Sequence, residues 1–421
     1  MNKILLSICV ISILFNYCSS SYLSYNNYSN LYSNSIELLS PEYIIYHHKE
    51  DSSKLFFNIN SSKLLYARKE SSSKYYGKIN FHYIIYDAND SKKIIDSASF
   101  YVVDTVNEIS SKKIFGNISF PYQMGNNSLM KIYCKDVNKD FQTEKHIIID
   151  KTFKNKAQFF MLTDSLNEAL FSLYSANNKS TILKSELNKN KKIYIKQYKR
   201  EFSLSKPPFT SGSQYTFNHK PDIYNYDNFN NKGKTKIKVP DSGFTIFQID
   251  TFSNIGYSIF NFDEHFPKVR TTKIMIKSIR YICSSPEYKK LNGSESPKSD
   301  IDDFWLSRTG SKERAREIIR KYYSRVENAN VHFSSYKEGW KTDRGMISII
   351  FGDPGLINKY KDSEIWVYGD KNNLNSLTFR FNKANNPFSN NDYRLVRNVS
   401  YKSHWYKAVD SWRSGRAYWI Q

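Results

Sequence analysis

Gly339-Trp340-Lys341-Thr342-Asp343 runs straight into Arg344-Gly345-Met346-Ile347 and on to Phe351-Gly352-Asp353-Pro354. Its centre, Thr342-Asp343-Arg344-Gly345, has turn chemistry: an Asp carboxylate accepts nearby backbone amides and a glycine takes positive φ without strain. Trp340 reads as the buried anchor of that turn. The apolar run Met346 to Phe351 reads as a strand closed by the turn Gly352-Asp353-Pro354-Gly355, with Ile365 to Tyr368 and Leu377 to Phe381 as two further strands. On the N-terminal side, Ser311 caps a helix in which Ala315, Ile318, Ile319, Tyr322, Val326 and Ala329 make an apolar stripe at helical spacing. Two shorter helices precede it. Ser285-Pro286 opens the first, and Ser299, followed by Asp300 and Asp302, opens the second and presents Phe304 and Trp305. On the C-terminal side Trp405, Val409 and Trp412 recur at i, i+4 and i+7. Residues 279–421 are therefore expected to form a small α+β domain, its helices packed on a short antiparallel sheet.

These stretches resemble the GWxTD domain family of bacterial envelope proteins. The resemblance rests on Gly339, Trp340, Thr342 and Asp343, on the residues that follow them, and on Phe304-Trp305 and Tyr322 to Asn330 ahead of them. It implies an envelope address in a Bacteroidota-like bacterium. The family has no established chemistry, so it implies no catalytic residue and no cofactor.

The start of the chain agrees with export. Asn2-Lys3 supply a short positive end, Ile4 to Phe15 an apolar core, and Ser19-Ser20-Ser21 a polar exit. That core is shorter than the ~20 residues of a spanning helix. Cys18 stands where a lipoprotein signal places its acylated cysteine, and the segment resembles such a signal, although Tyr17 departs from the small residue usual before it. Cleavage near Ser19 to Ser21 without a lipid is the second reading. Residues 1–18 are thus read as a signal peptide of lipoprotein type and 19–36 as a flexible, Asn/Ser/Tyr-rich tether.

The rest of the chain favours pleated strands, with 33 Tyr and 28 Phe among 421 residues. From 37 to 151, alternating apolar runs separated by Ser/Asn/Asp/Gly clusters point to an immunoglobulin-like β-sandwich. Residues 152–278 read as a second β-rich domain, with strands that include Thr272 to Ile276, a helix at Ser165 to Tyr174 (Leu166, Leu170, Leu173), and a long loop at 203–233. Tyr215, Tyr224 and Tyr226 in that loop are candidates for stacking on a glycan. The fold expected is mainly β, one or two sandwich domains followed by the α+β domain.

A formal charge of +22 suits a polyanion, but the chain is rich in Lys, Asn, Ile and Tyr together, as an AT-rich genome makes it, and its lysines are scattered through every segment, so composition is the favoured cause; anionic lipid or glycan stands as a candidate partner, and nucleic acid, with no recognition motif, does not. The eight histidines show no HExxH pattern and the cysteines no CxxC pair, so no metal site is expected. Cys134 and Cys283 read as buried free thiols of separate domains. Arginine gathers near the C-terminus, and Arg316, Arg320, Arg344, Arg413 and Arg416 are candidate contacts for carboxylate or phosphate. The expectation is a non-enzymatic envelope lipoprotein, anchored to the outer membrane through Cys18 and exposed to the periplasm or the cell surface, whose C-terminal domain docks other envelope proteins. Two alternatives stand beside it. One is a hydrolase of envelope glycan or peptide, with Asp343 as acid or base and Asp353 or Glu364 as its partner; the other is a structural subunit of an outer-membrane secretion or assembly machine.

Overall fold

The computed structural model describes residues 27–29, 32 and 39–418, apart from 69–72, 89, 91, 175–180, 212–216, 240–241, 361 and 370–375. The signal segment and Cys18 lie outside the described residues. Among the described residues strands take 36% and helices 25%, which makes the structure mainly β with a helical C-terminal region.

The first eight strands are β1 (Glu42–Tyr46), β2 (Ser52–Asn60), β3 (Ala67–Arg68), β4 (Tyr75–Asp87), β5 (Ile94–Val106), β6 (Lys113–Pro121), β7 (Asn127–Asp136) and β8 (Phe141–Asp150). They form two antiparallel sheets, β1-β2-β6 and β5-β4-β7-β8, with β3 beside the start of β4. Strict alternation sends Ile79, Phe81, Tyr83 and Ile85 of β4 inward, where they meet Leu55, Phe57 and Ile59 of β2 and Met130, Ile132 and Cys134 of β7 in one core. Each such side chain contributes ~1.5–3 kcal/mol by leaving water, and the period of two fixes which face is buried. Cys134 and Cys283 are both free and buried.

The middle region holds β9 (Met161–Thr163), β10 (Thr181–Lys184), β11 (Lys192–Tyr198), β12 (Ile223–Asn228), β13 (Lys234–Ile237), β14 (Gly243–Gln248) and β15 (Tyr257–Asn261), in sheets β13-β10-β9 and β12-β11-β14-β15. Three expectations change here. The helix at Ser165 to Tyr174 does not form. Asp164 Oδ1 accepts the amides of Leu166 and Glu168, each at 2.9 Å, and this side-chain turn competes with a helical start. Residues 203–233 are not one loop, since Ile223–Asn228 pairs along β11 as β12; Tyr224 and Tyr226 are exposed on that strand, and Tyr215 lies outside the described residues. Thr272 to Ile276 is helical, because the Thr271 hydroxyl caps the amide of Ile274 at 3.4 Å and outweighs the β-branched composition.

The C-terminal region comprises α1 (Thr272–Ser278), α2 (Ser285–Asn292), α3 (Pro297–Thr309), α4 (Lys312–Phe333), α5 (Asp343–Phe351) and α6 (Tyr401–Arg413), with β16 (Leu356–Lys359), β17 (Ser363–Tyr368), β18 (Leu377–Lys383) and β19 (Tyr393–Leu395). The strands form one antiparallel sheet in sequence order. The α4 stripe of Ala315, Ile318, Tyr322, Val326 and Ala329 is buried, as are Trp405, Val409 and Trp412 of α6. Ser284, one residue ahead of the expected cap, forms a complete capping box with Glu287, and α3 starts at Pro297, two residues before Ser299. Met346 to Phe351 is the largest correction, being helix and not strand. All nine residues of α5 are buried, and a segment apolar on every side has the same composition as a helix or as a central strand.

The expected tether also differs where it is described. Tyr32 is 8% exposed and belongs to the core of the C-terminal region, and Asn27 and Tyr28 hydrogen-bond to β16.

Candidate functional site

The motif is a folded cap between α4 and α5. As α4 ends, the Ser334 hydroxyl donates to Asn330 O (2.7 Å) and accepts the Gly339 amide (2.8 Å). Asn330 Oδ1 takes the Trp340 amide at 3.2 Å. Residues Gly339–Lys341 make one 3₁₀ turn, and Thr342 then caps α5: its hydroxyl donates to Gly339 O (2.8 Å) and accepts the Gly345 amide (3.1 Å). The two glycines answer to close approach. A Cβ on Gly339 would stand 1.9 Å from Ala329 O, and one on Gly345 1.9 Å from Gly339 O. Trp340 is buried, and its carbonyl accepts from the Tyr281 hydroxyl at 3.0 Å.

Asp343 opens α5, where a carboxylate suits the exposed amides of a helix start, and it reaches across to β19. Its Oδ2 accepts the Leu395 amide at 2.8 Å, and the Arg397 guanidinium spans both oxygens at 2.6 and 3.2 Å. Neither Asp353 nor Glu364 pairs with it. The Asp343 carboxylate therefore ties helix to strand. A cleft of about 290 Å³ opens beside it, lined by Ser205, Lys337, Asp343, Asp392, Arg394 and Arg397 among others.

Glu364 instead meets Arg344. The guanidinium, 1% exposed, lies 3.2 Å from each Glu364 oxygen, donates to Asn391 O at 3.0 Å, and sits 4.1 Å from the Tyr393 ring centre. Glu364 also accepts from the Tyr32 hydroxyl (2.9 Å) and Trp366 Nε1 (3.1 Å). Burial by itself would raise the Glu364 pKa, but Arg344 and Lys359 outweigh it and hold the carboxyl below its ordinary value. Burial raises the Tyr32 hydroxyl far above its usual range, with Glu364 adding to the shift. The acid stays charged and the phenol neutral, which keeps each acceptor matched to a donor.

The other arginine candidates separate. Arg413 joins α6 to α2 through both oxygens of Glu287, at 2.7 and 3.1 Å. The Arg413 hydrogen bond is the largest influence on Glu287 and helps bring its pKa down to about 2. Arg344 and Arg413 are thus spent within the fold, a correction to their reading as outward contacts. Arg316, Arg320 and Arg416 are exposed. Sequence reasoning placed Asp343 beside the wrong carboxylates and missed Asn330, Asn391 and Tyr32; polar side chains far apart in the chain carry no periodic signal that would unite them.

Residues 243–414 match the sequence model of the GWxTD domain. The match begins at β14, upstream of the first C-terminal helix. No curated protein matches the chain. Among solved structures, red sea bream transglutaminase is similar at 8% identity and a TM-score of 0.19, over 54% of this chain and 31% of that enzyme. The chain thus spans about a third of that protein's length, and so low a score carries no argument.

Proposed function

From its place among the GWxTD domain-containing proteins and the state of the motif's acidic group, we infer that this chain is a non-enzymatic envelope component that docks other envelope proteins through its C-terminal domain. The observation that carries the reading is the engagement of both Asp343 oxygens by Leu395 and Arg397. A general acid or base exchanges a proton with substrate through such an oxygen. This one joins α5 to β19, and the hydrolase alternative would require it to leave Arg397.

The surface offers the contacts that docking needs. Arg316 and Arg320 are exposed one helical turn apart on α4, and their planar forks suit a partner's carboxylates or the phosphates of anionic lipid. Ile94, Tyr101, Val103 and Phe115 are exposed on β5 and β6 and add apolar area of the kind found at interfaces. We place the chain in the envelope, exported by its N-terminal segment and anchored to the outer membrane by an acyl group on Cys18.

Asp343→Asn in the full chain tests the reading. The amide still accepts from Leu395 but forgoes the charge pair with Arg397, so the expected result is a looser fold with envelope partners retained. Turnover of envelope glycan or peptide by the wild type, abolished by the substitution while substrate binding persists, would establish an enzyme instead.

A further inference from the structure

The charges that line the cleft beside Asp343 do not balance. Each of its two carboxylates has an arginine: Arg397 holds Asp343 at 2.6 Å, and Arg394 lies 3.7 Å from Asp392. Its two lysines, Lys206 and Lys337, have no carboxylate within ion-pair distance among the described residues. The Lys337 ammonium carries three donors and, among the described residues, makes one hydrogen bond, to Ser203 O at 3.3 Å. Burial lowers its pKa below the ordinary lysine value, against the opposing pull of Asp343 and Asp392. An anion brought beside this ammonium would offset that cost.

The rest of the lining is apolar and fixed in place. Phe202, Leu204 and Tyr336 border the same space, and the Phe202 and Tyr336 rings meet edge to face with centroids 4.9 Å apart. Across the cleft the walls are tied together: the Ser205 amide and hydroxyl both donate to Lys341 O, at 3.1 and 3.0 Å, and the Arg397 guanidinium donates to Lys206 O at 3.2 Å. The opening is therefore shaped before any ligand arrives. Its volume of about 290 Å³ is close to the ~300 Å³ at which small-molecule sites begin, and apolar walls with a few placed polar groups are their usual lining.

We propose that this cleft binds a carboxylate with an apolar body, the carboxylate on Lys337 with exposed Lys206 beside it, and the body against Phe202 and Leu204. A single negative charge fits better than the two of a phosphate, because Asp343 and Asp392 repel a second one at close range. A free organic acid and the C-terminal residue of a peptide share this chemistry. The site goes beyond docking: a chain that works alone in the envelope would defeat the docking reading and leave this binding unchanged.

The test is calorimetric titration of the full chain with N-acetylphenylalanine and with its C-terminal amide. The acid is expected to bind with a dissociation constant at or below ~1 mM, as a ligand of its size allows, and the amide at least ~10-fold more weakly, having no charge for Lys337. Lys337→Met keeps the aliphatic stem and is expected to weaken the acid at least ~10-fold while leaving the amide unchanged. Lys206→Met, at an exposed position that folding does not depend on, is expected to weaken the acid about 3-fold through the lost charge alone. Equal binding of acid and amide, no saturable binding of either, or binding indifferent to both lysines overturns the site. Inorganic phosphate that displaces the acid at equal concentration overturns the carboxylate class. The acid 3-phenylpropionate separates the two sources: affinity equal to that of N-acetylphenylalanine supports a free acid, and affinity at least ~10-fold weaker supports a peptide C-terminus, whose amide group the probe then needs.

Discussion

Replacing Glu364 by glutamine removes the charge from the most buried ion pair of the C-terminal domain while keeping its shape. Arg344 is then left 1% exposed with its guanidinium still facing position 364. The Tyr32 hydroxyl and the Trp366 indole also donate to Glu364, so a side chain that accepts at one atom and donates at another cannot satisfy all three donors. Breaking a buried pair from one side costs about 3–5 kcal/mol, a large share of the ~5–15 kcal/mol that holds a typical domain together. All six tryptophans lie at or beyond residue 305, so tryptophan fluorescence in urea follows this domain without interference from the β domains. At a urea slope of ~2 kcal/mol per molar, the midpoint is expected to fall by about 1.5–2.5 M. Arg344→Met combined with Glu364→Leu removes both charges and is expected to recover part of that loss, the remainder reflecting the Tyr32 and Trp366 donors left without their acceptor. A midpoint shift below ~0.5 M for Glu364→Gln, equivalent to about 1 kcal/mol at that slope, would refute the reasoning that this buried pair is needed to hold the domain together.

Gly339→Ala places a methyl 1.9 Å from Ala329 O, a backbone atom near the C-terminal end of α4, and is expected to cost about 3 kcal/mol by the same fluorescence assay. Acid should loosen the α2–α6 clip: Glu287 has its pKa lowered to about 2, so its contribution is complete above the unfolded value near ~4.5 and disappears as pH falls toward 2. Because this carboxylate is about a third exposed, the contribution is on the order of 1–2 kcal/mol after screening, and Glu287→Gln should flatten the urea midpoint against pH over that window. Arg316→Glu with Arg320→Glu, both on the solvent side of α4, is expected to move stability by no more than ~0.5 kcal/mol; it should weaken capture of envelope partners or of anionic vesicles in co-sedimentation.

How much was legible depended on whether the signal was periodic. The β4 and β7 alternation, the α4 stripe and the Trp405, Val409, Trp412 face were readable because one side of each element meets the core and the other meets water. Met346 to Phe351 was misread because α5 is buried on every side, which erases the period that separates helix from strand. In the motif, turn chemistry anticipated that Asp343 accepts a backbone amide, but the turn expected at Thr342 to Gly345 is the capped first turn of α5, and Gly345 is needed for close approach and not for a positive φ; the likeness to the GWxTD domain is upheld by the match over 243–414. Tyr32 was hidden in a stretch whose Asn and Ser content suggested a spacer, yet its ring packs on Phe333 and Trp366 and its hydroxyl meets Glu364. Arg344 and Arg413 differ from Arg316 and Arg320 only in what the fold puts opposite them, and composition carries no record of that.

The central claim is that this chain docks partners and performs no chemistry. Its most direct test is affinity purification of the full-length protein from the envelope of its source cell, with mass spectrometry of the co-purified chains and of the mature N-terminus. The account predicts a stoichiometric set of envelope proteins, retained by Asp343→Asn and reduced by the Arg316/Arg320 double substitution, and an acylated Cys18. A protein that elutes alone with an unmodified N-terminus would contradict it.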